Sequence, residues 1–212
     1  MKSRTIVSAC VPFTLLAAVA GCSTTDSPAA PSSSPSASPT SQAGALPHSG
    51  APKVANPLPS SVLSGDPCQT GLTAAQVKEV LGSGETQQKS DHVEGLGPSC
   101  SWSSLEKGSY VAVGYDTDDK EGLSGWYERT KPQAVVWREL SPVQWFPAVA
   151  HVTPSGGEPD EFCQVSIGVN DQQTADVTIF LSSAKKGKTD PCTVASTVSG
   201  MVVKNLQQKA GS

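Results

Sequence analysis

The chain has 212 residues, of which 15 are Lys or Arg and 19 are Asp or Glu, so its formal net charge is −4. Loss of residues 1–21, which contain two basic residues and no acidic one, would lower the net charge to −6. This acidic balance argues against a protein that binds nucleic acid or another phosphate-rich partner. The basic cluster of Lys185, Lys186 and Lys188 is interpreted as a solvated turn around Gly187.

The first 21 residues have the pattern of an export signal. Lys2 and Arg4 precede an apolar run over 6–20, and the small residues of the sequence VAG, 19–21, lie at its end. The run is too short for a membrane span, which needs about 20 apolar residues, and Pro12 interrupts it. We therefore expect residues 1–21 to be a signal peptide.

A cysteine, Cys22, follows this signal directly. The sequence VAGC resembles the lipobox of bacterial lipoproteins, in which the cysteine receives a diacylglycerol and becomes the first residue of the mature chain. The alternative is a plain signal peptide with a coincidental cysteine. Two acyl chains anchor a protein stably, because each buried methylene adds about 0.8 kcal/mol and one chain alone binds marginally. We expect Cys22 to hold the protein at the extracytoplasmic face of the cell membrane.

Residues 22–58 are predicted to be a disordered tether. The segment 23–61 contains 8 Pro and 11 Ser and no aromatic residue, a composition that cannot bury a core. Its Ser, Thr and Pro content also suits O-glycosylation, although a solvated linker explains the composition equally well. From 59 to 209 apolar residues recur in short periodic blocks, which predicts one domain with a single core.

The predicted domain begins with a well-marked helix. Thr73 and Gln76 have the spacing of a capping box, and Leu72 and Val77 that of a hydrophobic staple. Gly82 is placed to end the helix.

Strands with alternating apolar residues are predicted after this helix, and a second helix closes the domain. The strands cover 110–115, 134–140, 163–169 and 175–181. The C-terminal helix, over about 191–206, carries an apolar stripe. Strands grouped between an N-terminal and a C-terminal helix indicate an α+β fold with an antiparallel sheet.

Four cysteines remain within the predicted domain: Cys68, Cys100, Cys163 and Cys192. An even number in an exported chain predicts two disulfides, whereas zinc is disfavoured because the Cys-x-x-Cys spacing is missing. Sequence alone permits three pairings. Cys68 and Cys192 both follow Asp-Pro at a helix start, and Cys100 and Cys163 lie in strand-like sequence, so matching contexts predicts Cys68–Cys192 and Cys100–Cys163.

The sequence contains no recognisable catalytic motif. A Gly-x-Ser-x-Gly elbow is missing, and His151 lies near Ser155 and Asp160 only in a loop-like segment. The acidic stretch YDTDDKEG, 115–122, lacks the positions that an EF-hand loop requires. We expect no enzyme activity, no cofactor and no metal.

Aromatic residues offer a candidate partner surface. Trp126 and Tyr127 fit one face of a helix, and Trp145 and Phe146 lie in a segment flanked by prolines. Filling the core is their default role. If exposed, they would form a patch on which an envelope protein, a glycan, a lipid or a small-molecule ligand could dock.

The order of these features resembles a known family. A lipobox, a Ser/Pro tether, DPC before a capped helix, CSW, a later cysteine in a strand and a second DPC before the final helix are similar to the actinobacterial secreted lipoproteins of the domain of unknown function 3558 family. The resemblance covers about 59–206 and implies no activity. The segment PVQWFPAVAH departs from the Gly- and Ala-rich turn expected there.

The sequence therefore predicts a lipid-anchored, extracytoplasmic, non-enzymatic domain that binds a partner or ligand in the cell envelope. Two alternatives stay open: a hydrolase that acts on envelope material, and a structural or regulatory partner of a membrane protein. A pocket lined by histidine or paired carboxylates would favour the hydrolase. A flat apolar surface without a pocket would favour the structural or regulatory protein.

Overall fold

A computed structural model describes residues 45–84 and 86–211. The predicted signal peptide, Cys22 and the first part of the predicted tether lie outside this range. Within it, none of the helices combines the length and the apolar character that crossing a membrane requires.

Seven antiparallel strands form one sheet in the order β1-β2-β3-β7-β6-β5-β4. The strands are β1 (Gln87–Val93), β2 (Gly97–Ser104), β3 (Ser109–Asp116), β4 (Val136–Glu139), β5 (Ala148–Val152), β6 (Phe162–Asn170) and β7 (Gln173–Phe180). The predicted α+β fold with an antiparallel sheet is thus confirmed. All four predicted strands are present, and β1, β2 and β5 are additional.

The helices are α1 (Pro67–Thr70), α2 (Ala74–Leu81), α3 (Leu123–Gly125) and α4 (Pro191–Gly211). Helix α3 continues into a π-helical turn (Trp126–Thr130) and a 3-10 turn (Lys131–Gln133), and another 3-10 turn (Ser60–Leu63) precedes α1.

Helix α2 has the capping box that its sequence predicts. The Thr73 amide donates to Oε1 of Gln76 (2.8 Å), and the Gln76 amide donates to Oγ1 of Thr73 (3.3 Å). These bonds satisfy two amides that the first helical turn leaves without a partner. The helix ends at Gly82, whose φ of +81° is a conformation that glycine adopts without steric penalty.

One face of the sheet carries the hydrophobic core. Side chains alternate along each strand, and the core-facing residues of β3, β6 and β7 are almost entirely apolar. They are Val111, Val113, Tyr115, Cys163, Val165, Ile167, Val169, Ala175, Val177 and Ile179. Helix α4 packs over β6 and β7, while α1 and α2 cover β2 and β3.

The disulfides join Cys68 to Cys100 and Cys163 to Cys192, so the predicted pairing is wrong. Cys100 on β2 and Cys163 on β6 face the same core, but β3 and β7 lie between their strands. Three strand spacings amount to about 14 Å, far beyond the roughly 4.4–6.8 Å between the Cα atoms of bonded cysteines. Each strand cysteine instead bonds the helix that covers it.

The packed part of the chain begins before residue 59, where the composition predicts the tether to end. Val54 is buried, and its amide donates to Oδ1 of Asp171 (2.9 Å). The Leu58 amide donates to the carbonyl of Val169 at the end of β6 (2.8 Å). Residues 54–58 are therefore part of the domain, because the loop after β6 satisfies their backbone groups.

Candidate functional site

The second face of the sheet differs from the core face because it carries small and polar side chains. On β3, β6 and β7 these residues alternate with the core residues, and several of them are buried. They are Gly114, Asp116, Gln164, Ser166, Gly168, Thr174, Asp176 and Thr178. Buried residues are mostly apolar, so buried polar side chains on this face indicate a role other than packing.

Helix α3 and its π-helical turn cover one half of this second face. Leu123 packs directly on β6 at Gly168, where a Cβ atom would lie only 3.0 Å from Leu123 Cδ1. Next along the chain, Nε1 of Trp126 donates to Oγ1 of Thr174 on β7 (3.2 Å). The glycine on β6 thus allows the close approach, and the indole nitrogen fixes the position of the cover.

A chain of hydrogen bonds runs beneath this cover. Oγ1 of Thr174 donates to the Asp176 carboxyl (3.0 Å to Oδ2), and a hydrogen bond from Ser166 also acts on that carboxyl. Oγ of Ser166 lies 3.2 Å from Nε2 of His151. Ser166 thus links the Asp176 carboxyl to the His151 ring.

Burial shifts the titration of the two ionisable groups in this chain of hydrogen bonds. It raises the pKa of Asp176 to about 7 and lowers the pKa of His151 to about 4, because a buried site disfavours the charged form of either group. The His151 ring lies 4.9 Å from the Trp126 ring and 6.0 Å from the Trp137 ring, centroid to centroid. His151 is therefore neutral near pH 7 and is packed against aromatic rings.

Asp116 ends β3 and is the most unusual polar residue of this face. Its side chain is buried, with 1% of the residue exposed. Among the described residues its Oδ1 atom has no hydrogen-bond partner. Burial, the nearby charges of Asp176 and Asp119, and a side-chain hydrogen bond with Asp119 raise the pKa of Asp116 to about 9. An acceptor atom that is removed from water without a partner destabilises a fold.

Asp116 and Asp176 both line a cleft on the uncovered half of the second face. The cleft has a volume of about 200 Å³. Apolar and small side chains form most of its walls, together with a few neutral polar groups: Val93, Leu96, Gly97, Pro98, Ser99, Tyr110, Ala112, Gly114, Gln164 and Thr178. Its size is below the roughly 300–1,000 Å³ of sites for drug-sized ligands, so it suits a small molecule or one group of a larger one.

The turn between β1 and β2 closes one side of this cleft. The Thr117 amide donates to the carbonyl of Leu96 (2.8 Å), which joins the turn to the chain just after Asp116. Gly97 has a φ of +128°, and a Cβ atom there would lie 2.5 Å from the Tyr115 carbonyl oxygen. Only glycine fits this position. Backbone contacts therefore hold the β1–β2 turn, which forms this wall of the cleft, against the end of β3 that carries Asp116.

Charged residues beside the cleft are already paired. Arg129, on the π-helical turn, forms ion pairs with Asp119 and Glu121. Among the described residues one group of three possible metal ligands lies within 4.8 Å, and it consists of His48, Glu121 and Glu128. Glu121 is engaged by Arg129 and Glu128 is exposed, so we assign no metal site to this group.

A wider depression of about 560 Å³ lies between α2 and β2. Its described lining includes Lys78, Gln88 and Trp102, and the Trp102 indole nitrogen already donates to Oε1 of Gln88 (2.9 Å). No acidic residue belongs to this described lining. The cleft at Asp116 is therefore the better candidate site.

The predicted aromatic patch is only partly exposed. Trp145 is 84% exposed, but Phe146 is only 4% exposed, and Tyr127 is buried, so the patch prediction is wrong for Phe146 and Tyr127. Trp126 is half-buried in the cover of the second face. Val143 and Phe146 exchange backbone hydrogen bonds across a tight turn and both lie in the core, whereas Trp145 is at the tip of the turn with positive φ and lies in solvent.

Sequence reasoning missed the carboxyls of the cleft. Asp176 lies between Ala175 and Val177, where a polar residue is what any half-exposed strand would show. Asp116 belongs to the acidic stretch 115–122, whose closely spaced carboxyls suggest a calcium loop more readily than a buried carboxyl. One usable signal existed, namely an Asp within an otherwise apolar or small-residue strand, but its burial depends on segments distant in sequence.

Comparison with known proteins identifies a family without a known activity. No curated protein matches the chain significantly. A family model described as "Protein of unknown function (DUF3558)" matches residues 17–205, which is well over half of the chain. The protein therefore belongs to the DUF3558 family.

Proposed function

We propose that this protein is a lipid-anchored, extracytoplasmic binding protein that holds a small ligand in the cleft beside Asp116 and Asp176. The observation that carries the proposal is the buried Asp116 carboxyl, whose Oδ1 atom has no partner among the described residues and which lines the cleft. A buried acceptor of this kind is expected where a ligand supplies the missing donor.

The energetics of the two carboxyls support a binding role. Both have raised pKa values because burial disfavours their ionised forms, so their presence lowers stability near neutral pH. A protein that needed the sheet only as a scaffold would be more stable with neutral side chains there. Stability is commonly sacrificed at functional sites.

The location follows from the N-terminal sequence. Lys2, Arg4 and the apolar run indicate export, and the VAGC sequence that ends at Cys22 resembles a lipobox. Two disulfides in the folded part are consistent with an oxidising compartment. We place the domain at the extracytoplasmic face of the cell membrane.

Membrane fractionation tests the anchor. Cys22→Ala should release the protein from the membrane or leave an uncleaved precursor, because the lipid would have no attachment site. Cys10→Ala is the matched control, since this cysteine lies within the apolar run and should be discarded with the signal. A Cys22→Ala protein that still fractionates as a mature membrane protein would show that the lipobox interpretation is wrong.

Ligand screening tests the cleft. Small water-soluble fragments are titrated into the full-length protein, and amide NMR shifts are followed at the residues that line the cleft. Ala112→Leu should abolish these shifts by filling the cleft. Ala184→Leu is the same substitution in an exposed turn and should preserve them. If no fragment shifts the cleft amides, the proposed binding function is refuted.

A hydrolase that acts on envelope material is the second candidate function. The paired carboxyls favour it, because a neutral acid and an ionised base side by side can serve general acid and base catalysis. The raised pKa values of about 9 and about 7 would leave one group protonated and the other partly ionised near pH 7. Release of products from isolated cell-envelope material, lost in Asp116→Asn and in Asp176→Asn, would favour hydrolysis over simple binding.

A further inference from the structure

The charge and shape of the cleft identify the chemistry of its ligand. Building on the proposed function, we propose that the cleft binds the ammonium group of a small organic amine between the side chains of Asp116 and Asp176, with the organic part of the amine against the apolar walls.

The first argument is that the described lining of the cleft offers its carboxyls no cationic partner. Two carboxyls line the cleft, and none of its described lining residues is Lys or Arg. The nearest guanidinium, that of Arg129, is already paired with Asp119 and Glu121. A ligand that brings its own positive charge would therefore supply the compensation that the protein side chains do not.

The second argument is the match of hydrogen-bonding groups. An ammonium group offers three donors and no acceptor, as the lysine side chain does. Oδ1 of Asp116 is an acceptor without a partner among the described residues. At Asp176, the single hydroxyl proton of Thr174 is shared between the two carboxylate oxygens (3.2 and 3.0 Å), which holds this side chain in place for a second contact. A bond between a cation and a carboxylate is about twice as strong as a neutral one.

The third argument is the apolar wall. Val93, Leu96, Pro98 and Ala112 line the cleft next to the carboxyls. A cleft with apolar walls and a few placed polar groups is typical of sites for small organic ligands. An inorganic cation would leave these side chains without a role.

The structure favours an amine over a divalent cation. Calcium takes six to eight oxygen ligands and magnesium six. Within residues 45–84 and 86–211 the compact group of three possible metal ligands lies elsewhere, at His48, Glu121 and Glu128. The two cleft carboxyls do not gather a third acidic or histidine ligand atom within the same distance.

Matched pairs of probes test the inference. Benzylammonium and n-butylammonium are compared with benzyl alcohol and 1-butanol, which have the same organic part without the charge. Amide NMR titration of the full-length protein should show the ammonium compounds binding at least about tenfold more tightly than the alcohols, as expected for a desolvated charge pair. The shifts should centre on the residues that line the cleft.

Three variants separate charge from shape. Asp116→Asn and Asp176→Asn keep the size of the side chain and should remove the preference for ammonium. Asp118→Asn removes the same charge from a more exposed residue that pairs with His92 (3.4 Å) and should retain the preference.

Each other outcome overturns the inference. Equal binding of alcohols and amines in the cleft would refute the amine but keep the proposed binding function. If none of the four probes binds, amine binding is also refuted, and the fragment screen then shows whether the cleft binds any small ligand. Cleft shifts caused by CaCl₂ alone, and lost in Asp116→Asn, would show that the site holds a metal instead.

Discussion

Asp116 on β3 and Asp176 on β7 are diagonal neighbours on the same face of the sheet, because Asp116 lies opposite Thr174 and Asp176 lies opposite Gly114. Diagonal neighbours across an antiparallel pair are about 7–8 Å apart. The two carboxyls thus share one buried environment, in which a charge on Asp176 raises the pKa of Asp116.

The pH dependence of stability should reflect the ionisation of Asp116 and Asp176. An acid with a higher pKa in the folded than in the unfolded protein binds more protons when folded, so stability falls as pH rises between the two values. The window runs from about 4 to about 9 for Asp116 and from about 4 to about 7 for Asp176. Asp119 raises the pKa of Asp116 further, and Arg129 lowers it.

Asp116→Asn should therefore be more stable than the native protein at pH 8, by at least about 1 kcal/mol, and close to it at pH 4. Urea unfolding at the two pH values measures the difference. Asp118→Asn is the charge-matched control and should not show this pH-dependent gain. A gain of equal size at both pH values would contradict the assignment to ionisation of Asp116.

Substitution of Trp145 and of Phe146, the neighbours in the proline-flanked turn, should differ greatly in its effect on the unfolding free energy. Trp145→Ser should change the unfolding free energy by no more than about 0.5 kcal/mol, because the indole lies in solvent. Phe146→Ala should lower it by about 3–5 kcal/mol, because a buried ring leaves a cavity. Denaturant melts of the single variants measure both effects, and a large loss for Trp145→Ser would show that this side chain is buried.

Peptide mapping under non-reducing conditions should recover Cys68 joined to Cys100 and Cys163 joined to Cys192. Each bond closes a loop of about 30 residues, for which chain entropy predicts roughly 3–4 kcal/mol of stabilisation. The double variant Cys163→Ala/Cys192→Ala should lose about this amount in urea unfolding. A peptide that joins Cys100 to Cys163 would be incompatible with the strand order.

Two glycines of the β1–β2 turn offer a matched test of the cleft wall. Gly97→Ala should lower the unfolding free energy by at least about 1 kcal/mol more than Gly95→Ala. Both positions have positive φ, but a Cβ atom at Gly97 meets the Tyr115 carbonyl oxygen, whereas none of the described atoms lies within 4 Å at Gly95. Thermal unfolding compares the two variants directly. Equal losses of stability would mean that the turn shifts away from the Tyr115 carbonyl oxygen without cost.

Features set by neighbouring residues could be predicted from the sequence. The capping box at Thr73 and Gln76 and the Pro191 start of α4 depend on contacts within one helical turn. The core strands β3, β6 and β7 show alternation because one face is apolar. Strand β1 was missed because each of its residues is exposed. Strand β2 was recognised only as strand-like sequence around Cys100, without bounds, because it is rich in serine.

Features set by the strand order could not be predicted. Cys100 and Cys163 have similar local sequence, yet two strands lie between theirs. The burial of Asp116 likewise requires that β7, the loop carrying Asp119 and the β1–β2 turn meet at the end of β3. Distant segments create that environment, and one sequence read by itself carries no record of such contacts.

The arrangement of the disulfides has a mechanical consequence. One bond fastens α1 to β2 and the other fastens α4 to β6, so each closes on its own side of the β3–β7 junction. Backbone hydrogen bonds and packing hold that junction, and the two cleft carboxyls lie on its opposite sides. Because the pKa of Asp116 is raised to about 9, repulsion between two carboxylates across the junction develops only at alkaline pH. A cation bound between the two side chains would add a contact across the junction that is present only while the ligand is bound.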